Sequence, residues 1–316
     1  MTAQIRPNGS LRHLLTLEGL TRAQIEALLT RAQSFVRPIG EPPVKKQALA
    51  GITVANLFTE PSTRTRVSFE LAAKRLGADV VNLEVQLSSR VKGESMLDTI
   101  YTLEACQVDV FVIRDAEAGV PGLVATHAQP HISVLSAGEG SVSHPTQGLL
   151  DALTILQAKK KFDGLKVAIV GDVKHSRVAR SALHVLTTLG VGEIRVVAPK
   201  ALMPEAGEFA SCERFTSMET GLAGVDVIMM LRIQKERMAT AQIPDADRYF
   251  AKFGLSAERL AKAKPDAIVM HPQPMNRGIE IASDVADGAQ SVIRDQVRNG
   301  VAVRMAVLEA VIEGRS

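Results

Sequence analysis

Short apolar runs alternate along this chain with stretches of helical spacing, and few folds accept that alternation. The runs occupy 52–58, 79–83, 108–113, 131–135, 166–170, 194–198, 225–231 and 267–270. Most are continuously apolar rather than alternating, the pattern of parallel strands covered on both faces. Phe69, Ala72, Ala73 and Leu76 fall at helical spacing after the first run, and Leu149, Leu150, Leu153 and Leu156 do much the same after the fourth. Four strand–helix units followed by four more predict an α/β protein of two lobes. Each lobe is expected to hold a mainly parallel, four- to five-stranded sheet flanked by helices. A Gly/Ser stretch at 137–143 runs into a helix and marks the expected break, giving domains 1–143 and 144–297 that are joined by that helix and expected to share a cleft. The last helical pattern (Val301, Met305, Leu308, Ile312) fits a closing helix, and its spacing leaves open which lobe it covers.

A length of 316 residues suits two domains, at about 150 residues each. The 37 basic and 34 acidic residues leave a formal charge of only +3, too balanced for a nucleic-acid binder. With no Trp, two Tyr and nine Phe, the chain has little with which to stack bases. Cys106 and Cys212 make neither a disulfide framework nor a zinc cluster, which fits a reducing, cytoplasmic setting. Residues 1–12 lack a signal-peptide core, and no window is long and apolar enough for a membrane span.

Polar segments follow the apolar runs. Pro61-Ser62-Thr63-Arg64-Thr65-Arg66 places three hydroxyls and two guanidiniums at one helix start. A helix cap needs one hydroxyl, and two Arg at that end oppose the dipole, so the pattern reads as a phosphate-like anion site. Ser88–Ser95, with Lys92 beside Gly93, reads first as a solvated loop and second as an arm reaching an anionic ligand. Arg114, just past the third run, is either a ligand contact or a salt-bridge partner. His144-Pro145-Thr146-Gln147 puts an imidazole and a carboxamide at one helix start, suited to both ends of an amide-like group. Gly171-Asp172-Val173-Lys174-His175-Ser176-Arg177 has the position of a dinucleotide loop without its glycines, and Arg177 there is a candidate carboxylate ligand. Arg232–Arg237 and His271–Gly278 follow the last two runs, and the two prolines of the second segment expose its carbonyls.

Metal binding is not expected: Pro130 separates His127 from His131, and no zinc motif or carboxylate cluster occurs. No nucleophile elbow or cysteine triad stands out either. Chemistry with no resident cofactor, metal or nucleophile points to direct group transfer by positioning and electrostatics.

Taken together, Phe58–Arg66, His144–Gln147 and His271–Gly278 make the chain resemble the aspartate/ornithine carbamoyltransferase family over nearly its whole length. The Lys92 loop and Arg232-Ile233-Gln234-Lys235-Glu236-Arg237 resemble its aspartate branch; the ornithine branch would show a His-Cys-Leu-Pro turn where this chain has His271-Pro272-Gln273-Pro274. Gln273 departs from the apolar or small residue of many relatives, at a position that contributes through its backbone. The resemblance implies a carbamoyl-phosphate-binding domain, 1–143, with the C-terminal helix 298–316 packing back on it, then an aspartate-binding domain, 144–297, and the active site in the cleft between them. It implies carbamoyl transfer to aspartate, an early step of pyrimidine biosynthesis, with ornithine transfer or an inactive scaffold as alternatives. By the same resemblance Ser62, Thr63, Arg64 and Thr65 would bind phosphate with Arg114. His144, Arg64 and Thr65 would meet the carbamoyl oxygen. Gln147 and the carbonyls of Gln273 and Pro272 would hold its NH2 group, with Pro274 also part of the carbamoyl-phosphate site. Arg177, Arg232, Gln234 and Lys92 would bind aspartate, Ser88 and Lys92 arriving from a neighbouring subunit of a homotrimer. Dihydroorotase-like or regulatory partner chains also occur in the family. No nucleic-acid or membrane partner is expected.

Overall fold

In the computed structural model, residues 4–84, 95–205, 207–234 and 245–315 are described. The chain divides into two compact units, residues 1–150 with 298–316, and residues 151–297. The division falls inside a helix that starts at Pro145, a few residues beyond the 143/144 boundary expected from the sequence.

The first unit holds α1 (Arg22–Phe35), β1 (Thr53–Phe58), α2 (Thr63–Arg75), β2 (Asp79–Glu84), α3 (Met96–Ala105), β3 (Val110–Asp115), α4 (Val120–His127), β4 (Ser133–Glu139) and the start of α5 (Pro145–Lys159). Its parallel sheet has the order β2-β1-β3-β4. The chain therefore turns one way from β1 to β2 and the other way to β3, which leaves a switch point at the carboxyl ends of β1 and β3. The core side of α2 is the apolar set read from spacing: Phe69, Ala72, Ala73 and Leu76 are all fully buried. β4 runs four residues beyond the apolar run that signalled it, because its pairing with β3 continues past Ser136 to Glu139 after a register shift.

β4 is an edge strand, and the N-terminal segment covers it. Leu14 donates to Val134 O (3.0 Å) and accepts from Ser136 N–H (2.8 Å), while His13 Nδ1 accepts from Val134 N–H (3.0 Å). Burial, then the charges of Arg12 and Arg6, push the His13 imidazole from 6.5 down to about 3. The unfolded chain therefore binds a proton here that the folded one refuses. The contribution of neutral His13 is fully present above pH 6.5 and is lost as pH falls from there toward 3. His13→Asn, whose Oδ1 can accept the same amide, is expected to lose less Tm between pH 7 and pH 4.5 than the wild type. Parallel melting curves check this, and equal losses would contradict it.

Part of α11 (Ile293–Glu313) closes the first unit. Glu309 pairs with Arg31 (3.2 Å) and Lys46 (3.1 Å), and the buried Arg304 guanidinium lies 5.0 Å from the Phe69 ring of α2. That contact seats α2, whose N-terminus carries the Ser62–Arg66 segment.

The second unit continues from α5 with β5 (Lys166–Val170), α6 (Arg177–Thr188), β6 (Glu193–Val197), β7 (Glu213–Phe215), α7 (Met218–Gly221), β8 (Val227–Met230), α8 (Ala246–Phe253), α9 (Ala257–Leu260), β9 (Ile268–Met270) and α10 (Ser283–Ala286). Its parallel sheet has the order β7-β6-β5-β8-β9, with a switch point between β5 and β8. Val170, Val197, Ile228, Met230 and Val269 form the middle of its core. β7 has no apolar run, so periodicity could not show it. It is held by pairing to β6 and by Arg195, whose guanidinium sits 5.2 Å from the Phe215 ring.

Candidate active site

In the first unit, three predicted segments meet at one sheet edge. Ser62–Arg66 follows β1, Arg114 lies on β3, and His144–Gln147 follows β4, and these strands are parallel neighbours. Arg114 is the penultimate residue of β3 rather than a residue beyond it. Thr59 N–H donates to Arg114 O (3.0 Å), which carries the pairing of β1 and β3 up to the loop. The Arg114 side chain spans the edge: it donates to Ala137 O on β4 (3.2 Å) and pairs with Glu60 after β1 (2.6 Å). Both readings left open for Arg114 thus begin from a half-buried ion pair at the strand ends, not a surface one.

The start of α2 departs from its neighbours. Thr21, Ser95, Ser176, Ser217 and Ser256 each cap a helix with their side-chain oxygen. Ser62 occupies the same position on α2 and makes no side-chain capping bond; only its carbonyl takes part, accepting from Arg66 N–H (3.0 Å). The Ser62 side chain thus does not occupy the first-turn amides of α2, which stand at the positive end of the helix dipole. Thr63 and Arg64 are exposed there, and Thr65 is buried. Across the edge, Pro145 opens α5 and the His144 carbonyl accepts from Gln147 N–H (3.0 Å) and Gly148 N–H (3.2 Å). His144, Thr146 and Gln147 are buried.

In the second unit, the loops after β5, β8 and β9 share an edge in the same way. Arg177 opens α6 and is buried, while Ser176 caps that helix by accepting from Ala179 N–H (3.1 Å). Arg232 donates to Gln234 Oε1 (3.1 Å), and Gln234 Nε2 donates back to Arg232 O (3.2 Å). This reciprocal pair holds the two side chains together beyond β8. Gly171, at φ 119, permits the approach of the loops: a Cβ there would stand 3.1 Å from Tyr249 Oη and 3.2 Å from Leu231 O. In the loop after β9, Gln273 has φ 56, the bond to Pro274 is cis, and His271 Nδ1 accepts from Gln273 N–H (2.9 Å).

Two buried carboxylates lie behind these loops. Asp172 Oδ2 accepts from Gln234 N–H (3.1 Å), and its Oδ1 accepts from His175 Nδ1–H (2.8 Å). Glu280 Oε1 accepts from Ile233 N–H (3.0 Å) and Asn276 Nδ2 (2.6 Å), and its Oε2 from Asn276 N–H (2.6 Å). Burial alone would push the Glu280 carboxyl up; the His271 imidazole 3.8 Å away and the hydrogen bonds from Ile233 and Asn276 outweigh it and hold the group below the usual carboxylate range. Burial, then the charges of Glu280 and Asp172, push the neighbouring Tyr249 phenol far up, so it stays protonated.

Family models for the carbamoyl-P binding domain and the Asp/Orn binding domain of aspartate/ornithine carbamoyltransferases match residues 12–157 and 163–311. The chain belongs to the aspartate/ornithine carbamoyltransferase family. A crystal structure of aspartate transcarbamoylase from Trypanosoma cruzi with carbamoyl phosphate is 34% identical, with a TM-score of 0.84 over 95% of this chain and 96% of that one. The same enzyme with N-(phosphonacetyl)-L-aspartic acid is 34% identical, with a TM-score of 0.85 over 95% and 96%. Ornithine carbamoyltransferase from Pyrococcus furiosus is 30% identical, with a TM-score of 0.85 over 96% and 97%. Overall similarity to a carbamoyltransferase of either branch is thus nearly equal.

Within this carbamoyltransferase, Ser88 and Lys92 lie outside the described residues, as do Lys235 and Arg237. Sequence reasoning gave no role to Glu60, Asp172, Tyr249, Asn276 or Glu280. Glu60 sits inside the Thr59-Glu60-Pro61 stretch, and an acid between two strand-end loops was a signal for an arginine partner. Glu280 had none, since a single acid beyond a turn looks like any surface carboxylate until burial is known. Among the described residues no cluster of His, Cys, Asp and Glu could hold a metal ion. Nor is any helix there long and apolar enough to cross a membrane.

Proposed function

We propose that this carbamoyltransferase moves the carbamoyl group of carbamoyl phosphate to the amine of L-aspartate, giving N-carbamoyl-L-aspartate and phosphate for pyrimidine synthesis. The observation that carries the choice of aspartate is the placement of Arg177 and Arg232. They follow adjacent parallel strands of the second unit, and the Asp172–Gln234 bond ties their loops together. Two guanidiniums suit a substrate with two carboxylates; ornithine offers one carboxylate and a cationic side chain.

In this reading Ser62, Thr63, Arg64, Thr65 and Arg114 hold the phosphate, and the uncapped start of α2 supports that role. Arg64, Thr65 and His144 donate to the carbamoyl oxygen, while Gln147 and the carbonyls of Gln273 and Pro272 accept from its NH2 group, with Pro274 completing that turn. The neutral amine of aspartate attacks the carbonyl carbon. The tetrahedral intermediate places an oxyanion before those donors. The bond from carbon to phosphate oxygen then breaks, and the departing phosphate takes the amine proton. His144 serves as a donor to the carbamoyl oxygen, and the departing phosphate rather than a side chain is the base.

The working unit in this reading is a homotrimer, with Ser88 and Lys92 entering a neighbour's site. Exposed Val67 and Leu71, one turn apart on α2, and exposed Val81 on edge strand β2 support association through the first unit. Steady-state assays with both amines test the substrate assignment. The expected kcat/KM favours aspartate over ornithine by about 10³-fold or more, because unmet buried charges penalise the wrong substrate. Equal efficiencies, or a preference for ornithine, would overturn it.

A further inference from the structure

Each of the two adjacent backbone amides beyond β8 is held by a different buried carboxylate. Leu231 N–H still pairs with β5, donating to Val170 O (2.8 Å). After it, Ile233 N–H goes to Glu280 and Gln234 N–H goes to Asp172. Successive amides of an extended chain point to opposite sides, so the segment carrying Arg232 and Gln234 is gripped from both.

The two carboxylates differ in what else they hold. Asp172 otherwise bonds within its own loop, to His175. Glu280 also bonds within its own loop, but to the stretch that directly follows the Gln273–Pro274 turn, taking both the backbone and the side-chain amide of Asn276. It also faces His271, whose Nε2 lies 3.8 Å from Oε2 and whose Nδ1 accepts from Gln273 N–H. With Nδ1 accepting, the imidazole proton is on Nε2, toward the carboxylate. The backbone of Glu280 is pinned as well: its N–H donates to Asn276 O (3.2 Å), and its carbonyl accepts from Leu255 N–H (2.9 Å). One fully buried side chain therefore joins the loop after β8 to the loop after β9.

We infer that Glu280 is a positioning residue that sets the Arg232–Gln234 segment and the Gln273–Pro274 turn in one fixed relation, so that the amine substrate and the carbamoyl NH2 group are aligned by a single carboxylate. This rests on the carbamoyl-transfer reading of the site, with Glu280 touching neither substrate. A carboxylate is needed because three donors converge on two oxygens, and a charge-assisted bond to each outweighs the cost of burying the acid. A glutamine of the same shape has one acceptor oxygen and would turn an NH2 group toward an amide donor.

The test is Glu280→Gln, assayed with whichever amine, aspartate or ornithine, the wild-type protein carbamoylates. Failure of the aspartate assignment then shows in the wild type alone and leaves the Glu280 result readable. For the folded variant, the amine-substrate KM is expected to rise at least tenfold and kcat to fall at least tenfold. The dissociation constant for inorganic phosphate, read by calorimetry, is expected to stay within twofold, because the phosphate cradle belongs to other loops. A folded variant with wild-type KM and kcat would overturn the inference, as would one whose phosphate affinity fell in step with activity. If Glu280→Gln does not fold, Asn276→Ala decides, since it removes one of the two bonds from the turn to Glu280 and leaves Ile233 held. The carbamoyl-phosphate KM is then expected to rise more than the amine-substrate KM, and the reverse order would contradict the bridge.

Discussion

Replacing Arg64 with alanine is expected to lower kcat by about 10²- to 10³-fold, the range for loss of one preorganised donor to an oxyanion. Arg64 is the second residue of α2 and is exposed, while the helix is held by Phe69, Ala72 and Ala73 on its opposite side. The variant should therefore fold. A cation at a helix N-terminus opposes the dipole, so thermal stability is expected to hold or rise. That combination, activity lost without stability, separates a functional arginine from a structural one. Arg64→Lys would restore the charge but not the two-pronged geometry, and partial recovery only is expected. Turnover near the wild-type level in Arg64→Ala would remove the phosphate and oxyanion roles together. Stopped assays at saturating substrate, with a melting curve on the same sample, are sufficient.

The second large effect concerns sharing of sites. Lys92→Ala and His144→Ala are each expected to give nearly inactive trimers. If Lys92 serves a neighbour's site, a trimer mixed from the two variants contains one site with both residues intact. Random reassembly at equal amounts leaves three of every four trimers mixed, so activity is expected to return to about a quarter of the wild-type value. If each subunit used its own Lys92, no mixture could contain an intact site and activity would stay near zero. The unmixed variants, taken through the same dissociation and reassembly, provide the baseline.

The parallel α/β architecture was legible because central strands are covered on two faces, and continuous apolar runs such as 166–170 are too short for a buried helix and bounded by turn residues. Where a strand carries polar residues the signal failed: β7 is Glu-Arg-Phe, and β4 extends through Ser136 and Glu139 on pairing alone. The candidate site was legible for a related reason. Parallel strands end at one edge, so polar segments after β1, β3 and β4, or after β5, β8 and β9, must converge wherever the strands are neighbours. Arg114 shows the limit of that logic. Its position was clear from the strand, but its pairing with Glu60 depends on side-chain reach. Glu280 lies beyond it altogether, since the residues it joins, Ile233 and Asn276, are 43 positions apart.

Direct transfer to the amine of aspartate is tested most plainly by labelling both partners. Carbon-13 carbamoyl phosphate and nitrogen-15 aspartate, incubated with the purified chain, are expected to give one product whose carbonyl carbon is split by the attached nitrogen-15, with one phosphate released per product. A carbon signal without that splitting, or phosphate released with no carbamoylated aspartate, would contradict the account.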